Sequence, residues 1–338
     1  MYFKRPRSTL KKTSTNTTTR TFSNKAVPLI FAAVGLMTNF ALADVDNTHN
    51  QDHSTSVSSN VKEKIPALAL NARLHSNNAS WYQVPQGNTV TFKTAYGDVV
   101  IALHPTLAPT HVARFKALIE AGFYNEQAFY RVVDGFVAQA GSNDTHDANK
   151  FSPSILSPMK AEFTQPLNSN VNLVETKDMF APNTGFLDGF PVGVDNNRQE
   201  MWGLHCPGVV AFARNSEKDT ASTEFYIVIG QAPRHLDRNM SVIGRVVQGI
   251  DALQKLPRGN RDTGGVLDDI TQESKIKQAF VHANTATPYF LQTPHHEEYQ
   301  KRTNTGKNLD NPFFHDNAYG PRPIDVCYYQ TKSSNKTW

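Results

Sequence analysis

The chain has 338 residues, 39% of them hydrophobic and 19% charged, a globular mixture that excludes a wholly disordered chain and a coiled coil. The formal charge of +4 sits at the front: residues 1–43 hold seven of the 34 Lys+Arg and no acid, leaving 27 against 30, a net −3, for the rest. Nothing global points to nucleic acid, and a single apolar run approaching a membrane span excludes a multi-pass membrane protein.

Lys4, Arg5, Arg7, Lys11, Lys12, Arg20 and Lys25 precede an apolar stretch, Ala26 to Ala43, ending Ala41-Leu42-Ala43. A positive flank, a short apolar segment and a small-residue site read as a secretory signal peptide (1–43) cleaved after Ala43, which predicts a periplasmic protein. An uncleaved N-terminal anchor is the competing reading. Residues 44–88, rich in Asn, Ser, His and Asp, read as a polar linker.

From Asn88 the texture becomes that of a folded domain. Thr89–Thr94 and Asp98–Leu103 are strand-like runs joined at Tyr96-Gly97. Pro109 opens a helix that Gly122 closes, with Val112, Phe115, Leu118 and Ile119 on one face. Ala128–Val133 and Phe136–Ala140 pivot at Asp134-Gly135. Residues 142–205 read as a polar, irregular insertion. Strand-like runs resume at Gly208–Ala213, Phe225–Ile229, Ser241–Val247 and Lys275–Ala283, and a short helix, Ile250–Leu256, is stopped by Pro257. Eight strands and two helices predict a mainly β fold, a closed eight-stranded antiparallel barrel capped by two helices, over 89–283. The C-terminal extension 284–338 ends in an apolar run, Ile324–Tyr329.

The only cysteines, Cys206 and Cys327, lie in the exported part. An even count in an oxidising compartment predicts one disulfide, with two buried free thiols as the alternative. His295-His296-Glu297-Glu298 lacks the spacing of a metal-binding H-E-x-x-H and reads as solvated tail.

The most informative segment runs Phe129-Tyr130-Arg131-Val132-Val133-Asp134-Gly135-Phe136-Val137-Ala138-Gln139-Ala140-Gly141. Alternation places Arg131 on the face opposite Tyr130 and Val132. After the turn, Phe136 and Gln139 come near it, so a guanidinium, an aromatic ring and a carboxamide share one patch. Such a patch suits a neutral, half-apolar ligand with a carbonyl, such as a peptide.

The segment resembles the cyclophilin signature F-x-R-x-x-x-G-F-x-x-Q-x-G through Phe129, Arg131, Gly135, Phe136, Gln139 and Gly141. Further blocks carry the resemblance: Pro207–Ala213, Ser222–Ile227 and Leu236–Val246. It implies an eight-stranded barrel with two capping helices and a peptidyl-prolyl cis-trans isomerase that uses no metal and no organic cofactor. It implies Arg131 and Gln139 as the catalytic pair. It implies a substrate groove of Phe136, Val137, Phe212, Ala213, Arg214, Glu224, Tyr226, His235, Leu236 and Met240. It also implies proline-containing peptides and unfolded exported proteins as partners of a monomeric chain.

Five positions depart from the common pattern. Arg214 stands for the usual Asn, Glu224 for Gln, Tyr226 for Phe, His235 for Trp and Met240 for His. Opposite charges at Arg214 and Glu224 are expected to pair near the groove. A weakly catalytic proline-peptide binder or chaperone on the same fold is the alternative function.

Overall fold

The computed structural model describes residues 80–142, 150–283, 286–316, 318 and 320–336. The expected signal peptide, and the linker up to residue 79, lie outside these residues.

Eight strands form one antiparallel sheet: β1 (Thr89–Thr94), β2 (Gly97–Leu103), β3 (Arg131–Val132), β4 (Val137–Ala140), β5 (Val209–Phe212), β6 (Phe225–Val228), β7 (Val242–Gln248) and β8 (Gln278–Val281). Their order is β8-β1-β2-β7-β5-β6-β4-β3. The sheet curls, but its edges β8 and β3 do not pair with each other, so the barrel is not strictly closed by the eight strands. The seam is carried instead by the residues just ahead of each edge: Lys275 pairs with Ala128 and Ile276 with Gln127. The other side of β3 is taken by the segment 259–267, where Val132 N–H donates to Gly265 O and Leu267 N–H to Tyr130 O.

Alternation sorts the strands into two faces. Val99, Ile101, Ala138, Ala140, Val210, Phe212, Phe225 and Ile227 point into the barrel core. Val100, Ala102, Val137, Val209, Ala211, Tyr226 and Val228 point outward and are buried too. Helix α1 (Pro109–Glu120) closes one opening with His111, Val112, Phe115, Leu118 and Ile119. Helix α2 (Ile250–Gln254) contributes Ala252 and Leu253 to the same core. Both helices match the sequence expectation.

The first turn of α1 has no side-chain cap of its own. Glu162, from the insertion, supplies one: its carboxylate accepts Thr110 N–H and His111 N–H at 3.0 Å each and His111 Nδ1 at 2.7 Å. Burial would push this carboxyl up, but the His111 ring and the two amides outweigh it and bring it down to about 2.

The segment 142–205 is not the irregular stretch expected. It forms a five-stranded antiparallel sheet ordered Gln165–Pro166, Glu200–Gly203, Phe190–Asp195, Asn183–Leu187, Asn172–Thr176. Phe186, Phe190, Val192, Val194, Met201 and Trp202 from this sheet pack on the outer face of the barrel. Asp188 and Gly189 both adopt positive φ at the turn between two of its strands, while Gly185, Pro191, Gly193 and Gly203 lie within the strands themselves.

The polar linker ends earlier than expected. Trp81–Val84 is a strand paired with Tyr289–Gln292 of the C-terminal extension, which pairs in turn with Ser333–Ser334. The extension also carries helix α3 (Glu297–Asn308), which the sequence reading missed; His296 is its N-cap, accepting from Glu298 N–H. Cys206 and Cys327 form the disulfide, 121 residues apart in sequence. With Ile324, Val326 and Cys327 buried, the apolar run of the tail is pinned onto the body.

Candidate active site

Arg131 lies on β3, paired with Gln139 on β4, and Gln139 is paired with Tyr226 on β6. One row across the curled sheet therefore carries guanidinium, carboxamide and phenol on its outer face. Arg131 is only 6% exposed. Its Nε donates to Gly264 O at 2.8 Å and its Nη1 to Gln139 Oε1 at 3.1 Å. Among the described residues, nothing takes its Nη2. Burial lowers the Arg131 pKa from its usual value, opposed by Tyr130 and Glu224, and the group stays a cation.

Gln139 is fully buried, and its Nε2 donates to Glu224 Oε2 at 2.6 Å and to Tyr130 Oη at 2.8 Å. The Tyr130 hydroxyl also donates to Glu224 Oε2, at 2.5 Å. Because the carboxylate oxygen can only accept, it fixes which end of the carboxamide faces Arg131. Tyr130 thus belongs to the site, although alternation placed it on the opposite face. The strand begins only at Arg131, so Tyr130 is not bound by the alternation and its long side chain reaches round.

Beside this polar row is an apolar surface. Phe136, half-buried, packs on the cluster that includes Val137, Ala213, Tyr226, Leu236 and Met240. His235 stacks on Phe136, ring centres 6.3 Å apart at 19°. Two glycines make the geometry possible. Gly135 takes φ 67° at the turn into Phe136. At Gly141 a Cβ would stand 2.5 Å from Thr223 O, so only glycine lets β4 end against the Thr223-Glu224 backbone.

Below the phenol of Tyr226 runs a buried polar chain that the sequence reading did not find. Tyr226 Oη is 2.8 Å from His205 Nε2, and His205 Nδ1 is 3.0 Å from Asp237 Oδ1. Asp237 Oδ2 accepts Arg234 Nε at 2.5 Å, and Arg234 Nη2 donates to Asp178 at 2.9 Å. Burial, and then Asp237, push the Tyr226 pKa well above the phenol range. The only sequence clue was Tyr in place of Phe: a buried hydroxyl needs a partner.

Two expected site placements are corrected. Phe212 does not face the groove; β5 alternation turns it into the barrel, where its ring meets His111 at 5.1 Å and Phe115 at 6.0 Å. Arg214 and Glu224 do not pair. Arg214 donates to the backbone carbonyls of Asn239, Asn215 and Ser216 and lies 5.3 Å over the Phe163 ring. Glu224 turns instead to Gln139 and Tyr130, which both donate to its Oε2.

Comparison with known proteins identifies the family. Residues 89–281 match the family model "Cyclophilin type peptidyl-prolyl cis-trans isomerase/CLD". A probable peptidyl-prolyl cis-trans isomerase of Brucella suis is 30% identical over 198 residues, covering 59% of this chain and 84% of that protein. A peptidyl-prolyl cis-trans isomerase of Arabidopsis thaliana is 28% identical over 167 residues, covering 49% of this chain and 59% of that one. Among solved structures, a cyclophilin of Hirschia baltica has a TM-score of 0.59 at 23% identity, covering 81% of this chain and 98% of its own, so the shared fold reaches beyond residues 89–281. The family match, the relatives and the curled barrel agree, and the chain belongs to the cyclophilin-type peptidyl-prolyl cis-trans isomerases.

Proposed function

We propose that Arg131 is the catalytic group of this isomerase and that Phe136, Val137, Ala213, Tyr226, Leu236 and Met240 form its proline slot, with His235 flanking Phe136. An X–Pro amide is planar because resonance gives its C–N bond partial double-bond character, and its uncatalysed rotation is slow. At the twisted transition state that resonance is lost and the prolyl nitrogen regains a lone pair. A donor aimed at that nitrogen binds the twisted state better than either planar isomer, which is what acceleration requires. No bond to a heavy atom breaks and no proton is transferred, so neither nucleophile nor general base is needed.

The observation that carries the reading is the clamped guanidinium. Gly264 O and Gln139 Oε1 hold Arg131 at two points and, among the described residues, leave Nη2 without a partner. The reorganisation cost is met in the folded state, so the donor is in place before substrate arrives. Gln139, itself oriented by Glu224, positions Arg131.

The substrates on this reading are proline-containing segments of unfolded, exported proteins, met by a monomeric enzyme in the periplasm. The basic, then apolar leader with its Ala41-Leu42-Ala43 end supports export. So does the Cys206–Cys327 disulfide, since disulfides persist in oxidising compartments. The test is a protease-coupled assay on a proline tetrapeptide: Arg131→Ala loses about 10- to 1000-fold in kcat/KM. Full activity in that variant would sink the role of Arg131.

A further inference from the structure

A groove of about 850 Å³ lies outside the proline slot. One wall is the loop at 175–180 of the inserted sheet, a second is the tail at 323–328, and the third is the barrel loop at 229–234 with Ile250 of α2. Three large apolar side chains stand open along it: Met179 is 88% exposed, Tyr328 79% and Phe180 52%. Most of the charges in its lining are committed within the protein. Asp178 pairs with Arg234, Glu175 accepts Ile324 N–H at 2.9 Å, and Asp325 accepts Cys327 N–H at 2.8 Å. Among the described residues, Lys177 and Asp325 stand exposed on its rim, opposite in sign and without an ion pair. A surface that spends its charges internally and leaves aromatic and thioether groups open selects apolar, uncharged chain.

The groove is braced. Cys327 and Pro207 both line it, so the disulfide from Cys206 ties the tail wall to the barrel. A braced site is formed before anything binds and costs less ordering when something does.

It is also continuous with the proline slot. Phe136 O accepts Ile229 N–H at 2.9 Å and Gly230 N–H at 3.3 Å, and Gly135 O accepts Gln231 N–H at 3.2 Å. The loop that walls the groove is therefore hydrogen-bonded to the turn that presents Phe136. Its far end carries His235 and Leu236 into the slot, and Ala232 and Phe136 pack on the same apolar cluster.

We infer that this groove binds an extended, apolar segment of the same unfolded polypeptide whose X–Pro bond occupies the slot. The occupant is one client chain threaded across the 229–236 loop. A short peptide fills the slot alone; an unfolded protein fills both. The inference rests on the isomerase reading above, and its test separates the two.

The probe is reduced, carboxymethylated α-lactalbumin, which is permanently unfolded, used as an inhibitor of tetrapeptide turnover. The wild-type enzyme turns over the tetrapeptide, which by itself reports whether the isomerase reading stands. A Met179→Ser, Phe180→Ser, Tyr328→Ser variant keeps the wild-type kcat/KM on the tetrapeptide and is inhibited about tenfold more weakly by the unfolded protein, the scale set by losing one well-placed contact or several weak ones. Tyr328→Ala, at an exposed position on the tail wall alone, gives a smaller change in the same direction and guards against a fold defect in the triple variant. Unchanged inhibition in both variants overturns the inference, as does an equal loss on tetrapeptide and inhibitor. A concentration-dependent dimer by sedimentation, lost in the triple variant while inhibition is unchanged, assigns the groove to a second copy of the chain and overturns it too.

Discussion

The phenol of Tyr226 is tied to the imidazole of His205, hydroxyl to Nε2 at 2.8 Å, with the rings nearly parallel at 16°. Asp237 on the far side of the imidazole accepts from Nδ1, so Nε2 is the acceptor and the phenol the donor. Tyr226, the floor of the proposed proline slot, is thereby hydrogen-bonded to the residue preceding Cys206. Tyr226→Phe keeps the ring but leaves His205 Nε2 buried and unpaired. Chemical denaturation is expected to show a loss of about 1–3 kcal/mol, while tetrapeptide turnover stays near wild type because the slot keeps its shape.

Arg131→Lys separates charge from geometry. Lysine keeps the positive charge but has no planar fork with which to hold Gly264 O and Gln139 Oε1 and still present a further donor. Its kcat/KM is expected to fall by at least about tenfold, toward the Arg131→Ala value. A lysine enzyme with wild-type kcat/KM would show that charge alone suffices.

Glu162 predicts an acid-sensitive attachment of the insertion to α1. Its pKa of about 2 lies below the ordinary 4.5, so its stabilisation is complete above about 4.5 and is lost as pH falls toward 2. Glu162→Gln removes that contribution at pH 7 and flattens this part of the acid limb. Thermal unfolding of both proteins at pH 7 and pH 3 checks it: the gap between them should narrow at pH 3.

Cys327→Ser opens a cross-link spanning 121 residues. In the chain-entropy model this costs about 4–5 kcal/mol. Urea unfolding should shift accordingly, and limited proteolysis should cut between residues 293 and 336 before it cuts the barrel. An unshifted midpoint with a resistant tail would mean that packing of Ile324 and Val326 holds the tail without the bond.

The barrel was legible because its strands are short, apolar and separated by clear turns, and because Arg131, Phe136 and Gln139 keep a distinctive spacing. The inserted sheet was not. Strands such as Asn172–Thr176 and Glu200–Gly203 are only five and four residues long, so they have no period long enough to read. One clue was present. Runs such as Val99–Leu103, Val209–Phe212 and Phe225–Val228 are apolar at nearly every position, the pattern of strands covered on both faces rather than on one. Phe212 was misplaced because a motif gives order along a chain, whereas facing is set by strand parity. Tyr130 and His205 were missed because each reaches the site from irregular backbone, where parity says nothing.

The doubly covered strands carry a practical consequence. Trimming this chain to residues 89–141 and 206–283 would lay bare Val100, Ala102, Val209, Ala211 and Val242, and would strand the Arg245 cation, which now rests on Gly189 O and Thr331. Such a fragment would be sticky and prone to precipitate. In this protein the isomerase unit is no portable cassette: whoever clones it must keep its coat.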